Sequence, residues 1–90
     1  MRTVIYIEGD IGLTVTAEGV RAQLLAAEPG TRPLVVINSN GGSVAEGVAI
    51  FAELLNWPGG VDTEIRGWAL SIASLIFLAG VIRIMHETSF

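Results

Sequence analysis

Four short strand-like runs, Thr3–Glu8, Leu34–Ile37, Val61–Ile65 and Val81–Met85, are spaced so that one helix-patterned segment fits between each consecutive pair. Strands alternating with helices leave few topologies open, because crossovers between parallel strands are right-handed and the loops that follow the strands gather at one end of the sheet. The sequence therefore predicts a single α/β domain over residues 1–90, built of βαβ units around a mainly parallel sheet. Its candidate sites are the loops after Ile37 and after Ile65.

The individual segments support this order. Val4, Ile5, Tyr6 and Ile7 are β-branched or aromatic and run into a Gly-Asp turn signal, with a loop over Gly9–Thr14. Val20, Leu24 and Leu25, with Ala17 and Ala27, recur at helical spacing behind Thr16 as N-cap, and Glu28-Pro29-Gly30 stops that helix. Leu34–Ile37 is continuously apolar, as expected of a strand buried on both faces. Ser43 and Glu46 have capping-box spacing, and Val44, Val48, Phe51 and Leu55 mark one face of the following helix. Val61–Ile65 alternates apolar residues with Asp62 and Glu64, which predicts one face open to solvent or to another subunit. Leu70–Ala79 is apolar all round apart from two serines, the pattern of a helix buried on every side.

Composition excludes several classes. The five basic residues are all arginine, scattered and outnumbered by nine acidic ones, so nucleic-acid binding has no electrostatic footprint. Without cysteine there is no disulfide and no thiolate site, which makes the cytosol the default compartment. The first residues lack the basic-then-apolar order of a signal peptide. The uncharged stretch Gly67–Ile82 falls short of the ~17 to 25 residues of a membrane span, and its glycines and serines suit a buried helix better. Half the residues are hydrophobic and only 16% are charged, against roughly 25% in an average domain, so the chain calls for a partner surface.

Two segments carry chemistry. In Asn38-Ser39-Asn40-Gly41-Gly42 the glycines let backbone N–H groups face an anion or an oxyanion, although a Gly-Gly pair alone is also what a plain strand-to-helix turn requires. Ser71 opens an apolar helix directly after a strand, where free amides favour developing negative charge; a serine there can equally be a simple cap. Ser74 reads as a packing residue. Trp57 and Trp68 read mainly as packing residues too, with Trp68 close enough to Ser71 to line a pocket.

Taken together, IYIEGDIG followed by TAEGVRAQL, then INSNGGSVAEGVAIFAEL, then GWALSIASLIFLAG resemble successive blocks of the ClpP family of serine peptidases, especially the phage and prophage head-maturation type. The resemblance spans nearly the whole chain and implies a ClpP/crotonase fold, incomplete at its C-terminal end. It implies serine endopeptidase chemistry, with Ser71 as nucleophile and the N–H groups of Gly42 and Ile72 as oxyanion donors. It also implies a polypeptide substrate added as a strand along Gly41, Ser43 and Val44, and a homo-oligomer. No metal, nucleotide or other cofactor is implied, nor a nucleic-acid or membrane partner. Crotonase-type acyl-CoA enzymes, which also use two backbone amides, and a non-catalytic prophage remnant are the rival expectations.

The sequence departs from the family pattern in two places. Asn40 stands where the family usually has proline. The family's general-base histidine is expected just beyond Phe90 and its aspartate much further on, so the triad is incomplete in these residues. His86, the one histidine, falls in the turn Met85-His86-Glu87-Thr88 and does not match the family's base; it reads as a surface residue, and Asp10, Asp62 and Glu64 offer no substitute. An unactivated serine is a weak nucleophile, so the 90 residues by themselves are expected to be a poor protease.

Overall fold

A computed structural model describes residues 2–87. Seven elements alternate as expected: β1 (Val4–Ile11), α1 (Ala17–Leu25), β2 (Leu34–Gly42), α2 (Val44–Leu55), β3 (Asp62–Ala69), α3 (Ile72–Phe77) and β4 (Arg83–Met85). All neighbouring strands are parallel and lie in the order β1-β2-β3-β4. Crossovers of one hand between strands laid down in one direction put every helix on the same face. The core lies between that face and the helices: Ile5, Ile7, Val35, Ile37 and Ile65 pack against Val20, Leu24, Ile50, Leu54, Ala73, Ile76 and Phe77.

The helix starts follow local chemistry. Thr16 Oγ1 accepts from the Gly19 N–H at 3.1 Å and caps α1. Ser43 Oγ accepts from Glu46 N–H at 3.2 Å and caps α2, but the reciprocal half of the capping box is absent. Glu46 instead accepts from the N–H of Ala17 at 3.1 Å, joining α2 to the first turn of α1, while Ser43 N–H donates to Ile11 O at 2.8 Å. Trp57 is half-buried against the core, as a lid at the end of α2 should be.

Four expectations are corrected. The strands β1, β2 and β3 run past their apolar cores, so the expected loop Gly9–Thr14 begins as strand, the whole of Asn38–Gly42 belongs to β2, and β3 continues through Gly67 at φ 100°. The buried side of α2 is Gly47, Ile50 and Leu54, whereas Val44, Val48 and Leu55 are exposed. The short α3 is covered on one side only, with Leu78 just beyond its end 52% exposed.

Asp62 and Glu64 are not exposed, although they do lie on the sheet face away from the core. Asp62 receives Arg2, the Arg32 Nε at 2.8 Å and the Ile82 N–H at 3.0 Å. Glu64 receives Arg66 at 3.1 Å and lies 2.7 Å from His86 Nε2. Arginine stems and heads replace a second layer of helices over these strands. Burial pushes the Asp62 carboxyl up, but the Ile82 amide and the two guanidiniums outweigh it and hold the group below its ordinary value. The His86 contact, and then Arg66, lower Glu64 against the opposing effect of burial.

Candidate active site

The carboxyl ends of β2 and β3 are tied together by short polar links. Ser39 is buried; its hydroxyl donates to Gly9 O at 2.7 Å and accepts from Gly41 N–H at 3.0 Å. Its carbonyl accepts from Leu70 N–H at 3.0 Å, and Asn38 Oδ1 accepts from Trp68 N–H at 3.4 Å. One buried serine thus joins β1, the glycine loop and the segment entering α3. Sequence reading passed over Ser39 because a serine between two asparagines looks like any turn residue; only the register of three strands gives it partners.

Gly41 and Gly42 have φ of 103° and 142°, where side chains are strained. Space forbids them as well. A Cβ on Gly42 would stand 2.2 Å from Ile11 O, and one on Gly41 would stand 2.8 Å from Ser71 Cβ and 3.3 Å from Ser71 Oγ. The glycine loop and Ser71 are therefore in direct contact. The amides on either side of Gly42 are engaged, Gly41 N–H by Ser39 and Ser43 N–H by Ile11.

Ser71 is the one non-glycine residue among those described with positive φ, at φ 55° and ψ −130°. It makes no capping bond through its side chain, so the reading of Ser71 as a simple cap fails. The residue is exposed. Ile72 follows as the first residue of α3, where an N–H has no acceptor within the helix. The start of α3 is fixed by contact with α2, since a Cβ on Gly47 would meet Ile72 Cγ1 at 2.2 Å. Ser74 donates its hydroxyl to Ser71 O at 2.6 Å, closing the first turn. Val44 is 64% exposed at the start of α2, beside Ser43, whose hydroxyl is used as the cap.

His86 follows β4 and is exposed, with its Nε2 on Glu64. Thr88, the last residue of its expected turn, lies outside the described residues. Among the described residues there is no cluster of His, Asp or Glu that could hold a metal, and no helix long and apolar enough to cross a membrane.

The chain is thus an α/β protein with a one-sided parallel sheet and, at the sheet's carboxyl end, a strained, exposed serine set against a glycine loop. The family model for Clp protease matches residues 1–89, and the chain belongs to that family. Among solved structures it is similar to the ClpP1 N165D mutant from Listeria monocytogenes, at 29% identity and a TM-score of 0.84. The match covers 96% of this chain and 52% of that one, so the chain spans about half the length of this relative. Comparison with curated protein sequences gave no significant match.

Proposed function

We propose that this chain carries the nucleophile and oxyanion half of a serine endopeptidase site of the ClpP type. The observation that carries the reading is the posture of Ser71: a strained backbone, an exposed residue, no capping bond, and contact with Gly41. Ser71 Oγ attacks the scissile carbonyl, forming a C–O bond as the carbonyl electron pair moves onto oxygen. The N–H groups of Gly42 and Ile72 receive that oxyanion; the serine proton passes to a general base and from it to the amide nitrogen, and the C–N bond breaks as the carbonyl re-forms on the acyl-serine. The proton relay belongs to a histidine that these 90 residues do not supply. The substrate is a polypeptide lying along Gly41, Ser43 and Val44 by strand addition.

Assembly into a homo-oligomer is part of the same proposal, supported by the exposed Val48 and Leu55 on α2. The ordered sequence blocks favour the phage head-maturation subtype, and the cytosol is the default setting for a cysteine-free sequence.

A peptide boronic acid tests the site without needing a built-in base, because boron accepts the serine oxygen's electron pair while the hydroxyl proton is released to the buffer. The ¹¹B resonance is expected to move from the trigonal to the tetrahedral position on adding the chain, and to stay trigonal with Ser71→Ala. A trigonal signal with the unaltered chain, or a tetrahedral one that survives Ser71→Ala, overturns the reading.

A further inference from the structure

A cleft of about 520 Å³ opens at the carboxyl ends of β1, β2 and β3, lined by Glu8, Gly9, Asn38, Ser39, Asn40, Gly67 and Trp68. It is not the nucleophile's own position, since Ser71 does not line it, but Asn40 is the residue before Gly41, which touches Ser71. A peptide with its scissile carbonyl at Ser71 and one half along Gly41–Val44 has its other half directed over Asn40. An extended chain advances about 3.3 Å per residue, so a side chain one or two residues from the bond falls at the cleft.

The lining has a definite chemistry. Glu8 is exposed and is the one charged group there, and no lining residue is basic. Trp68 is 45% exposed, so that much of the indole is open to a ligand. Asn38, whose Oδ1 accepts from the Trp68 N–H, and Asn40 supply neutral amide groups at the rim. A carboxylate, an aromatic face and an amide around one opening suit a planar cation. Arginine stacks on an indole while donating to a carboxylate, whereas lysine keeps the charge and loses the stacking and the fork.

We propose that the cleft between Glu8 and Trp68 is a specificity subsite for an arginine side chain of the substrate, on the side of the scissile bond away from the Gly41–Val44 edge. The inference rests on the peptidase reading of Ser71.

The test is fluorescence anisotropy of the 90-residue chain with a fluorescein-labelled decapeptide of alanine and serine through which arginine, lysine or glutamate is moved one position at a time. Arginine at one position is expected to tighten binding about tenfold over alanine, lysine less, and glutamate to weaken it. Glu8→Lys is expected to reverse the order so that glutamate binds best at that same position, a gain a misfolded variant cannot give; Trp68→Ala is expected to erase the advantage of arginine over lysine. No position-specific preference, or an arginine preference unchanged by Glu8→Lys, overturns the proposal. The boronate adduct separates the two failures: adduct without arginine preference removes the subsite alone, and arginine preference without adduct removes its role in peptide cleavage.

Discussion

Gly41 and Ser71 approach so closely that a Cβ on the glycine would lie 2.8 Å from the Cβ of the serine. The contact links the end of β2 to the start of α3 and makes the glycine loop and Ser71 one unit. Gly41→Ala is expected to destabilise the fold by about 2 kcal/mol, the cost of an unfavourable φ at 103° with steric overlap added. Chemical denaturation measures the loss, and the ¹¹B adduct signal is expected to vanish at concentrations where the variant is still folded.

Ser71 bears strain of its own, and two substitutions separate its backbone from its hydroxyl. Ser71→Gly relieves the φ of 55° and is expected to raise stability by about 1 kcal/mol while abolishing boronate binding. Ser71→Ala removes the same hydroxyl but keeps the strain, so its stability is expected to match the parent. Equal denaturation midpoints for the glycine and alanine variants would remove strain from the account.

Gly47 sets helix propensity against packing. Alanine is favoured over glycine inside a helix by about 1 kcal/mol, yet here its methyl would meet Ile72 Cγ1 at 2.2 Å, and overpacking costs about 1–3 kcal/mol. Packing wins, so Gly47→Ala is expected to destabilise and to shift the amide resonance of Ile72. In an Ile72→Ala background the same change is expected to be close to neutral, which a double-mutant cycle reads directly.

Asp62 gives the fold an acid limit. Its carboxyl is held below the ordinary carboxylate value, so its stabilising contribution is complete above the unfolded value of about 3.9 and is lost as pH falls through the folded one. Asp62→Asn is expected to flatten the fall in stability below about pH 4, with the part due to Glu64 remaining. Near neutral pH the substitution is expected to cost about 2 kcal/mol. Fully buried pairs lose ~3–5 kcal/mol, but a third or more of each arginine side chain stays in water.

Element order, parallel pairing and both helix caps were legible in the sequence because each depends on local chemistry: β-branched runs, a threonine or serine before a helix, and glycine or proline after it. The family blocks were legible for the same reason. What local pattern could not show was which side of an element meets the core. Val44, Val48, Phe51 and Leu55 form a good apolar stripe by spacing, but α2 turns Gly47, Ile50 and Leu54 inward, because the glycine allows α3 to approach. Asp62 and Glu64 looked solvent-facing because their partners, Arg2, Arg32, Arg66 and His86, are brought over them only by tertiary structure. Ser39 and the cleft at Trp68 were hidden likewise, since both exist only where three strand ends meet.

The account turns on whether the amides of residues 42 and 72 face one and the same oxygen, the one carried by the carbonyl carbon, or by boron in the adduct, to which Ser71 Oγ bonds. Two-dimensional ¹H–¹⁵N spectra of the chain titrated with a peptide boronic acid measure this directly. The expected result is that the Gly42 and Ile72 N–H resonances move downfield together, with the same saturation curve, as the tetrahedral adduct forms. Saturation that leaves both resonances in place while others shift would contradict it.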